Sequence, residues 1–522
     1  MEGQSVKKIL IVGGGTAGWL AASHLAKKLQ SSTQQGIKVT LVESPDIPTI
    51  GVGEGTVPAI RESLKYLGIS ETDFIRQCDV TFKQSIKFVD WCHPSNTERN
   101  DAYHHVFDYP YIDQVDLVPY WLAGRHADMS FVDALSIQGR ICDLGLGPKL
   151  ITDAEYAGMA SYAYHLDASK FAEFLANHAI DHLGVERIRA NVSDINLDEG
   201  GNIKSVVTDR YGEIEADFFV DSTGFTGLLV EQKLGIGFID KSDILFVDHA
   251  IAAQVPYGAG NDAIPCQTLS TAREAGWIWD IGLADRRGTG YVYSASHITA
   301  EQAEGTFRDY LRQSIGHKVD DITCRSIKMR IGYREKFWHK NCVAIGLSQG
   351  FVEPLEATGL LVFDATARML ADIFPGRKES FPAIANQFNH LVKHAWDRVI
   401  DFIKLHYLLS KRHDHQFWRD NHNPETVPQS LVQLLERWRF NMPSEYDFPG
   451  RFEIFTRENY LYVLYGMGFK TNIEANKYQY GDRERAEDEF KYIQTALDHV
   501  SSQLLPHREL LTQIKKYGLQ KI

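Results

Sequence analysis

Three glycines, Gly13, Gly15 and Gly18, form a G-x-G-x-x-G spacing between the apolar run Lys8 to Val12 and a segment of helical periodicity from Trp19 to Gln30. This pattern suits a pyrophosphate. The first glycine allows a tight turn, the second lets the backbone approach the phosphates, and the third lets the helix pack on the strand. Thr16 and Ala17 lie in this turn, ahead of the helix N-terminus, where free amides and the helix dipole favour an anion. The next apolar run, Ile37 to Val42, ends in Glu43, an acid placed to accept hydrogen bonds from a ribose diol. Glycines alone mark only a turn, but strand, glycines, helix, strand and terminal acid in this order predict a dinucleotide site. Two further residues carry chemistry of their own. Lys83 lies in Val80 to Trp91, where Phe82, Ile86 and Phe88 alternate with Lys83, Ser85 and Lys87. A period of two predicts a strand, with both lysines on its polar side. Glu356 stands just before a helix start, where a carboxylate ordinarily complements the helix dipole.

The elements that must position these residues follow from patterning. Lys8 to Val12 and Ile37 to Val42 are short apolar runs of the kind that fill a parallel sheet covered on both faces. Ser169 to Leu183 and Ala300 to Ile315 have helical spacing, while Ile188 to Val207, Glu213 to Val220, Phe246 to Val255, Gly290 to Ser294 and Cys342 to Leu347 are strand-like. From Gly359 onward the chain is mostly helix-like, including the aromatic and basic stretch Phe388 to Trp418. With 522 residues it is long enough for a large core. The expectation is an α/β fold with a Rossmann-type core over 1–370, substrate-site segments inserted at about 80–165, and a mostly helical module over 371–522 packed on the core. Sixty-eight acidic against 55 basic residues give a net charge of −13, which disfavours nucleic acid and anionic membrane as partners. No apolar run is long enough to span a bilayer. The N-terminus MEGQSVKK lacks a signal peptide's apolar region, so a cytoplasmic protein is expected. Six scattered cysteines without a CxxC pair predict free thiols and no metal site.

Further motifs carry a resemblance. Ala216 to Gly224, a strand ending Asp221-Ser222-Thr223-Gly224, resembles the second FAD signature of flavin monooxygenases, and no second G-x-G-x-x-G provides for a separate NAD domain. Five segments in order resemble the flavin-dependent tryptophan halogenases: Gly13 to Gly18; Gly51-Val52-Gly53-Glu54-Gly55-Thr56-Val57-Pro58; Phe82 to Phe88; Trp277-Ile278-Trp279-Asp280-Ile281; and Asn341 to Gly346 leading into Gly350 to Gly359. The resemblance implies an FAD-binding core of flavin monooxygenase type with insertions. FAD is supplied reduced by a separate NAD(P)H-dependent reductase, and oxygen and chloride or bromide give hypohalous acid. Lys83 hydrogen-bonds that species or forms a haloamine with it, and Glu356 is the active-site carboxylate. By the same resemblance Gly53, Glu54, Thr56, Leu347 and Leu360 line the flavin. Thr358 and Gly359 hold the halide, and His105, Phe107 and Tyr460 grip a small aromatic substrate. Homodimers are common in the family.

The sequence departs from that family at several places. Gly282 replaces the proline that closes the tryptophan signature, and Ala357 replaces a serine after the glutamate. Phe455-Thr456 followed by Asn459-Tyr460-Leu461 stands where a stacking tryptophan and a second tyrosine occur in members acting on free tryptophan. These departures point toward an indole-like ring other than free tryptophan. The competing readings are a flavin monooxygenase that hydroxylates an aromatic substrate, and a catalytically retired FAD-binding protein.

Overall fold

The computed structural model describes residues 4–47, 53–94, 101–110, 115–258, 262–450 and 452–521. Two large sheets organise it. The first has six strands in the order Trp338–His339, Cys342–Ala344, Phe218–Asp221, Lys8–Val12, Lys38–Glu43, Glu186–Arg189. All neighbours pair in parallel except the Trp338–His339 edge. Lys8–Val12 sits at its centre with four of five residues buried, as expected for a strand covered on both faces. Helix Thr16–Lys28 lies against this sheet, and helices Ala168–Leu183 and Thr358–Ile373 pack on that helix.

The glycine turn explains how closely this layer packs. Gly13 has φ of +114°, and a Cβ there would stand 2.2 Å from the Ser222 carbonyl oxygen. A Cβ on Gly18 would stand 2.0 Å from the Gly13 carbonyl oxygen, so the helix can approach the strand only through a glycine.

The second sheet has seven strands, in the order Arg325–Lys328, His249–Pro256, Arg286–Tyr293, Gly276–Gly282, Gln267–Arg273, Ser85–Val89, Ala102–Val106. Gln267–Arg273 and Ser85–Val89 run parallel, and the other pairs are antiparallel. A small sheet beside it orders Gly53–Gly55, Ala163–Asp167 and Thr81–Lys83.

The expected single strand Val80 to Trp91 is therefore two strands. Thr81–Lys83 belongs to the small sheet and Ser85–Val89 to the large one, and the chain crosses between them at Gln84. The Gln84 backbone N–H donates to the Cys266 carbonyl at 2.7 Å, and its side-chain amide donates to the Leu146 carbonyl at 2.7 Å. The crossing corrects the two-sided pattern: Lys83, Gln84 and Ser85 are all buried, while Lys87 is only half-buried and pairs with Asp143.

The C-terminal part is helical, led by the 29-residue helix Phe381–Leu409, whose inner face joins the main core. The boundary expected at residue 370 falls inside helix Thr358–Ile373. The last helix, His507–Tyr517, returns to the small sheet: the Phe82 N–H donates to His507 Nε2 at 2.9 Å. All six cysteines are free, and among the described residues no helix is long and apolar enough to cross a membrane. Gly18→Ala is expected to lower unfolding stability by about 1–3 kcal/mol, because the added methyl must push the helix off the strand. Denaturant titration of the purified variant checks this.

Candidate active site

The site assembles where the two sheets meet the long helix. Gly55 and Lys83 lie on strands that flank the same central strand, opposite His165 and Ala163 respectively. This register brings the Lys83 ammonium nitrogen to 3.3 Å from where a Cβ on Gly55 would sit. Phe107, just beyond strand Ala102–Val106, places its ring centroid 5.4 Å from the same nitrogen. Lys83 is fully buried and its Nζ has no hydrogen-bond partner. Burial pulls its pKa from 10.5 down to about 7, against the opposing pull of the Glu356 charge. His165 beside it is kept neutral by burial, with its Nε2 at 2.8 Å from the Thr268 hydroxyl.

Glu356 is equally buried but fully partnered. His105 Nδ1 lies 2.9 and 3.0 Å from its two oxygens, and His406 Nε2 lies 2.9 Å from Oε1. His105 comes from strand Ala102–Val106 and His406 from the long helix, so Glu356 ties sheet to helix. Burial opposes ionisation of this carboxyl, yet His105 and His406, each pointing a ring nitrogen at it, hold it down to about 2. The preceding Glu353 is held by the same helix: its Oε2 accepts from Tyr407 at 2.5 Å and from the Trp277 indole at 2.6 Å. Burial raises its pKa to about 7. Trp277 thus has a buried anchoring role on strand Gly276–Gly282.

The other expected substrate residues divide. His105 and Phe107 join the site, whereas Tyr460 faces the core. Its ring packs on Phe402, Trp438 and Phe448 at 4.8, 5.2 and 5.0 Å, and its buried hydroxyl has no partner. Asn459 reaches the site instead, with Nδ2 at 3.0 Å from His105 Nε2. Phe455 stacks on Phe402 at 4.0 Å, and Thr456 caps helix Arg457–Gly466. Neither offers a ring opposite His105. His406 and Asn459 were missing from the sequence-based site because a helix-borne histidine and a helix-capping asparagine have bland sequence signatures. Only the contact across 50 residues between His406 and Glu356 distinguishes the former.

The glycine turn has the features a pyrophosphate requires. Helix Thr16–Lys28 begins at Gly15 with no side-chain cap and no acid in its first turn, so its amides are open. A Cβ on Gly15 would meet nothing within 4 Å, leaving a cradle that only a side chain there would fill. Glu43 stands beside it, paired through Oε1 with Arg187 at 2.5 Å and Arg189 at 3.3 Å. Ala17 contacts the turn at Gly346, next to Leu347. Thr56 uses its hydroxyl in a two-way pair with the Tyr164 backbone at 2.9 Å, and Gly51 and Val52 lie outside the described residues. Burial and the Asp167 charge raise Glu54 to about 7. Helix Thr358–Ile373 also starts without a side-chain cap or an acid in its first turn, and the buried Thr358 hydroxyl has no partner. Gly359 follows it, and Leu360 is buried in the same turn.

Comparison with known proteins identifies relatives of the whole chain. The tryptophan halogenase family profile matches residues 8–480. The tryptophan 6-halogenase SttH of Streptomyces toxytricini is 36% identical over 515 residues, covering 94% of this chain and 95% of that protein. The crystal structure of a tryptophan halogenase from Shewanella frigidimarina superposes with a TM-score of 0.94 at 40% identity, covering 99% of both chains. Xcc4156, a flavin-dependent halogenase from Xanthomonas campestris, superposes at 0.86 with 30% identity, again over 99% of both chains.

Gly15→Ala is expected to leave thermal stability within about 0.5 kcal/mol, because its Cβ meets no protein atom. The same variant should bind FAD at least about tenfold more weakly. Fluorescence titration with FAD alongside thermal unfolding separates the two effects.

Proposed function

The chain belongs to the tryptophan halogenase family, and we propose that it halogenates a small indole-like ring through Lys83 and Glu356. As a family member it is an FADH2-dependent oxidoreductase that uses halide, and its flavin is reduced by a separate reductase. The observation that carries the catalytic assignment is the Lys83 nitrogen, buried and unpartnered beside Phe107 and within the field of Glu356.

The glycine turn, Gly13 to Gly18, and Glu43 would hold the adenosine pyrophosphate, with Gly53 to Thr56, Leu347 and Leu360 toward the flavin ring. Bound reduced FAD supplies the electrons that, with oxygen, turn halide into hypohalous acid. The open amides at Thr358 and Gly359, with the unpartnered Thr358 hydroxyl, suit a halide.

Lys83 then receives the halogen. A neutral amine attacks hypohalous acid at the halogen, forming an N–halogen bond and releasing water. The substrate ring attacks that halogen, forming a carbon–halogen bond as the N–halogen bond breaks; the Lys83 nitrogen takes up a proton with the returned electron pair and the ring gives up its own, so that amine and aromatic ring are both restored. Glu356, held ionised, draws the departing ring proton. Burial is what makes the neutral amine available near neutral pH.

Tryptophan stands in the names of two of the three relatives above; an indole-like ring other than free tryptophan is the reading favoured for this chain. Phe455 is already stacked on Phe402, and Thr456 is engaged as a cap, so neither supplies the stacking ring of a sandwich; the rings beside His105 are Phe402, edge-on at 5.9 Å, and Tyr462, tilted at 6.1 Å. Cytoplasmic placement and a homodimer belong to the same proposal.

Mass spectrometry with FAD, a reductase, NADH, bromide and a pool of indoles and phenols provides the test. A product with bromine's isotope doublet is expected from the wild type. It should be absent from Lys83→Ala while flavin reoxidation continues, and product persisting in that variant would sink the role of Lys83. Oxygen gained without halogen would instead favour a hydroxylating monooxygenase. The rate should also rise with pH through about 7, because the working form is the amine that appears as Lys83 loses its proton. A rate falling through that range would assign the work to the ammonium.

A further inference from the structure

We propose that His406 is a buried imidazolium, the counter-ion that keeps Glu356 ionised and in position. Only its catalytic consequence rests on the halogenase reading.

The assignment comes from following each proton. His406 Nδ1 lies 2.8 Å from the Phe402 carbonyl oxygen, which can only accept, so Nδ1 carries a proton. Its Nε2 lies 2.9 Å from Glu356 Oε1. That contact holds one proton, on either the imidazole or the carboxyl.

His105 decides between them. Asn459 Oδ1 accepts from the Thr456 backbone N–H at 2.8 Å, which fixes the orientation of its amide. Its Nδ2 therefore donates to His105 Nε2 at 3.0 Å, so that nitrogen is bare. His105 is neutral, and its only proton, on Nδ1, points at the Glu356 carboxylate. A carboxylate that already receives one donor favours its ionised form. Imidazole is also intrinsically the stronger base, by about two pK units. The shared proton therefore sits on His406.

The remaining groups around the pair supply no competing hydrogen bond among the described residues. Phe88, Trp91 and Phe402 surround the His406 ring at 5.0, 6.1 and 5.2 Å. The buried Tyr103 hydroxyl has no partner and burial keeps it a neutral phenol. Lys83 has no hydrogen bond to Glu356. Glu353, on the same loop, is taken by Trp277 and Tyr407.

The network also ends at both sides. His406 leads to a backbone carbonyl and His105 to an asparagine amide, and neither can carry a proton away. His406 is thus a positioning residue, and Glu356 is a fixed charge that has no protein relay behind it.

The test reads protonation without turnover. In enzyme labelled with 15N-histidine, long-range correlation spectra should show the His406 ring doubly protonated near neutral pH. That signal should vanish in His406→Gln and become singly protonated in Glu356→Gln, which also covers failure of the first variant to fold. In His406→Gln, kcat should fall by at least about tenfold, with KM and flavin reoxidation little changed. A singly protonated His406 ring in the wild type would overturn the proposal, as would a doubly protonated ring that survives Glu356→Gln unchanged. Loss of halogenation by Lys83→Ala bears only on the proposed function.

Discussion

A carboxylate removed from water must be compensated, and the architecture around Glu356 follows from that requirement. No single element supplies both of its partners. His105 arrives on the edge strand of the seven-stranded sheet, and His406 arrives on the long C-terminal helix. Next to His406, Tyr407 holds Glu353, so two consecutive helical residues grip two carboxylates of one loop. Removing either grip would leave a buried acid short of a donor. The loop itself is tightly set: Ala357, between Glu356 and the helix start, has φ of +56°, a conformation unusual for a residue with a Cβ.

Lys83 meets the same dehydration with the opposite outcome. Its Nζ has no hydrogen-bond partner, and the field of Glu356 and the face of the Phe107 ring compensate it only in part, so dehydration lowers its basicity. This asymmetry is useful. A paired carboxylate stays charged and still, while an unpaired amine becomes neutral and reactive. The crossing at Gln84 is the structural device behind it. By moving the chain from the small sheet into the large one, it turns Lys83 inward and leaves Lys87 to pair with Asp143 near the surface.

The features legible in the sequence are the local ones. The apolar runs, the glycine spacing and the terminal acid predict the βαβ unit because each signal lies within a few residues of the contact it makes. Ala300 to Ile315 likewise carries its own cap and periodicity. Lys83 was recognisable only by resemblance, because alternation placed it on a polar side. Its burial depends on strand Ala163–Asp167, the Gly55 strand and the C-terminal helix, all distant in sequence. Tyr460 and Asn459 show the same limit at finer grain. Adjacent on one helix, they differ by a turn of about 100°, which sends one ring into the core and one amide to His105.

One stretch of chain, from Gly346 to Leu360, serves every part of the site. Gly346 packs on Ala17 of the nucleotide turn, Glu353 and Glu356 are read by the long helix, and Thr358 opens a helix with free amides. That helix, Thr358–Ile373, in turn packs on Thr16–Lys28, whose start is likewise uncapped. The two uncapped helix starts therefore belong to one packed pair. A shift of either helix would be felt at the nucleotide turn and at Glu356 together. Buried Asp364 reinforces the unit, since it lies 2.8 Å from His24 Nε2 and accepts from the Ser63 hydroxyl at 2.6 Å. The glycine turn and the loop that carries Glu356 are thus joined through the packing between these two helices.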